Sequence, residues 1–212
     1  MHIPSQFKEV NLDKLHKLIQ DFPLGTLITS TDGLLDASHI PFYLEELKCG
    51  RVTLQSHVAR TNPLWESCAN GQEVLLIFHG PNAYVSPNFY PSKKEAGKVV
   101  PTWNYSVVHV RGRIYFKHES AWIMKLLSNL SNFHEVSQNS PWSVSDAPAD
   151  FTQKLVQAVV GLEVVIENIV GNFKLSQNKT ETDYLGVLQG LAGSKPHSSR
   201  SVSKQMQTLT RS

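Results

Sequence analysis

The sequence has few cysteines, little net charge and no long apolar run. Its two cysteines, Cys49 and Cys68, form no CxxC pair, which argues against a thiolate zinc site and a secreted disulfide framework. A formal net charge of +2 gives no strong field to attract nucleic acid or an anionic membrane, so DNA binding would need a local basic patch. No apolar run approaches the ~20 residues of a membrane span, and the N-terminus lacks a signal-peptide pattern. We therefore expect a cytoplasmic chain without a membrane partner.

Several catalytic signatures are absent from the sequence as well. It contains no GxGxxG or GxxxxGK phosphate loop, no GxSxG nucleophile elbow and no convincing helix-turn-helix pair. Four of the nine histidines, His39, His57, His79 and His109, fall in predicted strands, but none has zinc-type spacing such as HExxH. Isolated histidines at strand ends more often form structural hydrogen bonds, so we predict no metal site.

The 212 residues do contain enough apolar material for a folded domain, with 41% hydrophobic and 18% charged residues. Leucine and isoleucine at three- and four-residue intervals predict a helix over Asn11–Phe22. After Pro23 the pattern becomes that of strands rich in β-branched and aliphatic residues. Seven strands are predicted, over Leu24–Ser30, Leu35–Leu44, Arg51–His57, Val74–His79, Tyr84–Tyr90, Tyr105–Lys117 and Leu162–Lys174.

Turn residues and short connections indicate how these strands are arranged. Thr31-Asp32-Gly33 predicts a hairpin turn, Pro87 makes Tyr84–Tyr90 an edge strand, and Gly112 predicts a bulge or bend. The early strands are joined by loops too short for crossovers, so we expect a mainly β protein, a small closed or half-open barrel with peripheral helices. Those helices are predicted over Ser120–Glu135, from the Asp146 cap to Gly161, and over Thr182–Leu191.

We expect residues 1–193 to form the domain and residues 194–212 to form a polar C-terminal tail. In that tail Val202, Met206 and Leu209 either line a weak helix or belong to a frayed end.

Polar residues concentrate in three segments, each with a functional and a structural interpretation. In His57–Trp65 the Arg60 guanidinium suits a phosphate, whereas a surface ion pair followed by an Asn62-Pro63 turn is the structural alternative. In Val100–Tyr105 the Thr102-Trp103-Asn104 run suits an aromatic ring and its polar edge, whereas a tryptophan that anchors a loop is the alternative.

The third polar segment is Asn172–Lys179, at the exit of the last strand. If the strand alternation continues, Lys174, Ser176 and Asn178 share one face that suits an anion or a heterocycle edge. A helix cap with a solvated lysine is the alternative.

Five segments in this order and spacing resemble one known family. They are Leu34–Pro41, His57–Trp65, Gly80–Pro87, Val100–Tyr105 and Lys174–Asn178. The sequence resembles the PaiB-like family, described as FMN-binding negative transcriptional regulators. Pro141-Trp142 and Asp146-Ala147-Pro148 resemble that family too, so the resemblance covers about residues 1 to 190.

The resemblance implies a split β-barrel of the pyridoxamine-phosphate-oxidase type, usually a homodimer with FMN in a groove between subunits. It implies that cofactor-binding residues come from several strands. Those implied for the phosphate and ribityl chain are Ser38, His39, Ser56, His57, Arg60 and Asn62. Those implied to reach in from the partner chain are Trp103 and Asn104, and those implied to close the ring end or the phosphate are Lys174, Ser176 and Gln177.

Two functions of different class are compatible with this resemblance. One is an FMN-binding repressor of transcription, for which Arg200, Lys204 and Arg211 of the tail are the only basic candidates. The other is a flavin-dependent oxidoreductase that uses NAD(P)H or a related donor, since the flavin itself would carry the electrons. A barrel that has lost its flavin, or that holds another aromatic ligand, is a third interpretation.

Overall fold

The structure is a computed structural model that describes residues 1–209. Within that range the strands are Lys8–Glu9 (β1), Leu24–Thr31 (β2), Leu34–Pro41 (β3), Tyr43–Glu46 (β4), Val52–Ala59 (β5), Gln72–Val85 (β6), Thr102–Lys117 (β7) and Val159–Lys174 (β8). The helices are Leu12–Asp21 (α1), Leu64–Ser67 (α2), Lys93–Ala96 (α3), Ser120–Glu135 (α4), Ala149–Gln157 (α5), Glu181–Ala192 (α6) and His197–Gln207 (α7). None of these helices is long and apolar enough to cross a membrane.

All eight strands belong to one sheet, in the order β3-β2-β6-β7-β8-β5-β4, with β1 paired to β8. The two ends of this path, β3 and β4, are consecutive in the chain and are joined by the buried residue Phe42. Ser56 of β5 donates a hydrogen bond from Oγ to the carbonyl oxygen of Pro41, 2.6 Å away, at the end of β3. The sheet therefore curls back on itself, which confirms the predicted mainly β barrel with peripheral helices.

The β2–β3 hairpin forms as its turn residues predict. Thr31 pairs with Leu34, which leaves Asp32 and Gly33 as a two-residue loop. Both have positive φ, 52° and 80°, the conformation that a type I′ turn requires and that Asp and Gly tolerate. This turn fixes the register of all eight residue pairs in the hairpin.

Contacts divide the chain into two compact units. The first unit consists of Met1–Leu18, His79–Val108 and Val170–Ser212, and the second unit consists of Ile19–Phe78 and His109–Ile169.

The second unit has a core of aliphatic side chains from its strands and from α4. Ile123 and Leu126 of α4 are about 1% exposed, on the face that the apolar spacing predicts. Gly112 of β7 is required by close approach of another strand, because a Cβ there would lie 2.2 Å from the carbonyl oxygen of Val165 in β8. Gly161 is packed under the Trp122 ring in the same way, since its Cβ would lie 2.4 Å from that ring.

The first unit is completed by the C-terminal helices α6 and α7. Val202 and Met206 of α7 are 0% and 1% exposed, so the segment predicted as a polar tail contributes a helix with a buried face. Tyr184 of α6 donates a hydrogen bond to the carbonyl oxygen of Met206 at 2.6 Å, and Ser106 of β7 donates one to Gln205 at 3.0 Å. These bonds tie α7 to α6 and to the sheet. Of the tail residues named above, Arg211 lies outside the described residues.

Several predicted elements divide, join or end differently in the structure. Predicted strand Leu35–Leu44 is two strands, because Phe42 turns inward between β3 and β4. Predicted strands Val74–His79 and Tyr84–Tyr90 are wrong as separate elements, because one strand, β6, runs through both and ends at Val85. Pro87–Phe89 then forms a 3₁₀ turn in which proline occupies the first helical position. The helix predicted to reach Gly161 ends at Gln157, because Val159 onward pairs with β5.

Replacing Met206 with alanine tests whether α7 is an integral part of the first unit. Met206→Ala should lower the free energy of unfolding by about 2–5 kcal/mol, because it leaves a cavity at a fully buried position. Gln207→Ala, at the exposed neighbouring position, should change it by no more than about 0.5 kcal/mol. Urea denaturation of both variants measures the difference, and equal small effects would contradict the docking of α7.

Candidate functional site

The predicted site residues Ser38 and His39 lie side by side on β3, in the second unit. Strand alternation turns them to opposite faces, with Ser38 half-buried and His39 exposed. His39 pairs with Thr26 of β2, and its Nδ1 lies 3.1 Å from the Thr26 hydroxyl oxygen. Both side chains are accessible enough to meet a ligand.

Ser56 and His57 occupy neighbouring positions on β5. Ser56 is fully buried and its hydroxyl is already committed to the Pro41 carbonyl. His57 is half-buried, and its Nδ1 atom is enclosed without a hydrogen-bond partner among the described residues. Burial lowers the pKa of His57, because the apolar surroundings disfavour the imidazolium. His57 is therefore a neutral imidazole with one unused polar atom.

Arg60 follows the end of β5 and is exposed. Its Nε donates to the carbonyl oxygen of Gln157 at 2.7 Å, and one terminal nitrogen donates to that of Val159 at 2.9 Å. These carbonyls belong to the last residue of α5 and the first residue of β8, where a cation also meets the negative end of the helix dipole. A guanidinium has five N–H donors, so the two bonds orient Arg60 and leave donors for an anion.

The turn after Arg60 is built by Asn62. Its Oδ1 accepts a hydrogen bond from the backbone N–H of Leu64 at 2.9 Å, at the first residue of α2. The chain itself therefore caps this backbone N–H, and the Asn62 amide group remains available as a donor.

The other predicted residues lie in the first unit, where Asn104 and Ser176 form a buried pair. Asn104 donates from Nδ2 to Ser176 Oγ at 2.9 Å, and the hydroxyl lies 3.1 Å from Asn104 Oδ1. The two residues are 0% and 3% exposed, and Met206 of α7 contacts the amide through its sulfur at 3.8 Å. Within one chain these two side chains satisfy each other.

Gln177 closes the turn that follows β8. Its Oε1 accepts from the backbone N–H of Leu175 at 2.7 Å and its Nε2 donates to the carbonyl oxygen of Phe173 at 2.5 Å. Ser176, between them, has a φ of 64°. The expectation that Lys174, Ser176 and Asn178 share one strand face is therefore wrong, because β8 ends at Lys174 and Ser176 turns into the left-handed conformation.

Lys174 and Trp103 meet on the outward face of β7 and β8. Lys174 donates from Nζ to the Trp103 carbonyl oxygen at 2.7 Å and to the Thr102 hydroxyl. Burial, and secondarily the charge of Lys179, lowers the pKa of Lys174. Beside it the rings of Trp103 and Tyr84 are edge to face at 6.1 Å and remain 55% and 49% exposed. An ammonium group thus borders an open aromatic surface.

Asn172 also belongs to this face; the sequence places it in the third polar segment, but it is not among the predicted site residues. It is 4% exposed, donates from Nδ2 to the Tyr105 hydroxyl at 3.1 Å, and has no partner for Oδ1 among the described residues. Asn172 precedes Lys174 by two residues in β8, and Tyr105 follows Trp103 by two in β7, so all four side chains lie on one face. The alternation of polar residues at 172 and 174 was the available signal.

The two groups of residues, each within its own unit, differ in what they could bind. Arg60 and the neighbouring Asn62 amide provide donors for a phosphate in the second unit. The Trp103 and Tyr84 rings with Lys174 provide a stacking surface and a cation in the first unit. Of the three unpaired buried side-chain atoms in the described chain, His57 Nδ1, Asn172 Oδ1 and Tyr90 Oη, the first two are atoms that a bound ligand would explain.

Comparisons with known proteins agree with this chemistry. The family model described as "Putative FMN-binding domain" matches residues 1–168. An uncharacterized protein of Emericella nidulans is 36% identical over 225 residues, which span 90% of each chain. Protease synthase and sporulation protein PAI 2 of Bacillus subtilis is 28% identical over 207 residues, 98% of this chain and 97% of that one.

A solved structure supports the fold independently of sequence. The flavocytochrome Anf3 of Azotobacter vinelandii superposes with a TM-score of 0.61 at 14% identity, covering 87% of this chain and 78% of its own. This likeness concerns the fold alone, and it confirms the predicted split β-barrel of the pyridoxamine-phosphate-oxidase type. The resemblance to the PaiB-like family is confirmed by the Bacillus relative. With 168 of its 212 residues matched, the chain belongs to the family described as "Putative FMN-binding domain".

Proposed function

We propose that the protein is an FMN-binding flavoprotein whose ring site is the outward face of β7 and β8. The observation that carries the proposal is the open Trp103–Tyr84 aromatic surface bordered by the Lys174 ammonium group. A flat ring with electronegative edge atoms suits that combination of stacking surface and donor. When bound, FMN would supply a ring able to accept and release electrons.

The phosphate and ribityl chain are assigned to the second-unit residues. Arg60 is held by two carbonyls before any ligand arrives, so little side-chain freedom remains to be lost when it meets a phosphate. Ser38, His39 and His57 add polar groups from β3 and β5. Ser56 acts indirectly, because its hydroxyl holds the end of β3 against β5.

We assign the FMN groove to a homodimer, in which the ring face of one chain meets the phosphate residues of its partner. The exposed edge strand β3 supports a second copy: Leu34 and Leu35 are 76% and 77% exposed. Because neighbouring strand residues point to opposite faces, both faces of this edge carry uncovered apolar surface. Proteins seldom leave such an edge unpaired.

Two uses of the flavin are proposed, and they belong to different classes. A transcriptional regulator follows from the PaiB-like resemblance, together with the name of the Bacillus relative as a sporulation protein. In this chain the basic surface of the described tail is small, since the Arg200 guanidinium is bonded to the carbonyls of Ser194 and Lys195. An oxidoreductase is favoured by the openness of the Trp103–Tyr84 surface, which leaves room for a second ring.

Purified protein incubated with FMN and then desalted should retain the flavin absorbance bands, and light scattering should give the mass of two 23.7 kDa chains. Loss of all colour from a folded protein would overturn the cofactor assignment, and a monomer that retains FMN would overturn the groove between subunits.

Arg60→Ala provides the residue-level part of that experiment. It should weaken FMN binding by about 1.5–3 kcal/mol, roughly ten- to hundredfold in Kd, because a charge-assisted bond to phosphate is lost. The control Arg111→Ala removes an exposed arginine that forms an ion pair with Glu73, and this variant should bind FMN with the wild-type affinity. Binding is measured by flavin fluorescence at a temperature where both variants are folded.

Anaerobic mixing separates the two uses of the flavin. An oxidoreductase should bleach its FMN absorbance on addition of NADH or NADPH, whereas a regulator should shift its own promoter DNA in a salt-sensitive manner. If the FMN-loaded protein is neither bleached by a nicotinamide nor able to shift the DNA, both proposed uses are contradicted.

His57 should make the stability of the protein depend on pH. Because burial lowers its pKa below the ordinary 6.5, the unfolded chain takes up a proton at higher pH than the folded chain. The free energy of unfolding should therefore fall as pH decreases from about 6.5 towards the folded pKa. Urea denaturation at several pH values should show a smaller fall in the free energy of unfolding for His57→Gln than for the wild type. His39→Gln replaces an exposed strand histidine and should show the wild-type fall.

A further inference from the structure

Asn172 is one of three residues of the described chain that have a buried side-chain atom without a hydrogen-bond partner. A buried carboxamide normally pairs both its oxygen and its nitrogen, because an unpaired buried polar atom destabilises the folded state. In Asn172 the nitrogen is paired, because Nδ2 donates a hydrogen bond to the Tyr105 hydroxyl oxygen at 3.1 Å. Turning the amide over would pair Oδ1 with that hydroxyl and leave Nδ2 alone, so either orientation leaves one atom unpaired.

The surroundings of Asn172 indicate what the missing partner is. Its neighbours on the same face, Tyr105 and Lys174, are half-buried, so this part of the face is not fully covered by the described chain. Along β8 this face presents an acceptor at Asn172 Oδ1 and a donor at Lys174 Nζ. The exposed Trp103 and Tyr84 rings continue the surface on the neighbouring strands.

Acceptor and donor in this order match the edge of a cyclic imide, in which an N–H lies between two carbonyl groups. The pyrimidine edge of a flavin has that pattern at N3–H and its flanking carbonyl oxygens. The dimethylbenzene edge of the same ring has no donor or acceptor, so this face distinguishes the two ends of the flavin.

We propose that Asn172 is a specificity-determining residue whose side-chain oxygen accepts the flavin N3–H, with Lys174 beside it as donor to a flanking carbonyl. This inference rests on the proposed FMN binding and adds to it the direction in which the ring enters. Tyr105 is a positioning residue, because its hydroxyl holds the Asn172 amide through Nδ2.

A ligand and a side chain can be altered in the same experiment. Wild-type protein should bind FMN more tightly than 3-methyl-FMN, which lacks the N3–H. In Asn172→Leu, which keeps the branched shape of the side chain but has no polar atom, the preference should shrink by roughly two- to tenfold, the worth of one neutral hydrogen bond. Asn88→Leu, at an exposed asparagine of the same unit, should keep the wild-type ratio.

The N3–H proton of ¹⁵N-labelled FMN provides a second measurement, which needs no variant. Bound to the wild type, it should give a resonance protected from solvent exchange, and Asn172→Leu should lose that protection. An N3–H that exchanges freely in the wild-type complex, or an affinity ratio unchanged in Asn172→Leu, overturns the assignment of Asn172 while FMN binding stands. No FMN binding by the wild type overturns the proposed function and this inference together.

Discussion

Every polar side chain that this fold buries needs a hydrogen-bond partner, and the distribution of those partners decides which residues remain for a ligand. Asn104 and Ser176 partner each other, and Ser56 partners the Pro41 carbonyl. Only a few buried atoms of the described chain are left over, among them His57 Nδ1 and Asn172 Oδ1. Residues of similar chemistry in the sequence therefore divide into those that hold the barrel together and those that face outward with unused capacity.

Arg60 shows that the two roles can coincide in one side chain. Its bonds to the carbonyls of Gln157 and Val159 are structural, since they join the end of β5 to the segment between α5 and β8. The same bonds keep the guanidinium in a fixed orientation, and an ordered cation meets a phosphate at lower entropic cost than a free one. A structural interpretation of a polar residue is therefore compatible with a binding role when the group has more donors than the fold consumes.

The sequence was sufficient for the barrel because local patterns and tertiary packing agree there. From Asn104 to Phe116 the even positions of β7, among them Val108, Val110 and Ile114, are buried, as strand alternation predicts. For α7 the sequence did not decide between a helix and a frayed end, because Ser199 and Ser203 lie on its buried face and weaken its apolar pattern. The site was harder to predict from the sequence. The left-handed φ of Ser176 breaks the strand alternation that had placed Lys174 and Ser176 on one face. The role of Asn172 depends on Tyr105, a partner 67 residues away in the chain.

The Asp32-Gly33 turn has a consequence for the site at the other end of its hairpin. Because the two-residue loop sets the register of β3 against β2, it also decides which of Ser38 and His39 faces each side of the sheet. A turn that shifted this register by one residue would exchange the two side chains between the faces, although Ser38 and His39 themselves are unchanged. The turn at residues 32–33 thus determines which polar groups the binding surface presents. A change of turn that shifts the register would alter ligand preference without substitution of any ligand-binding residue.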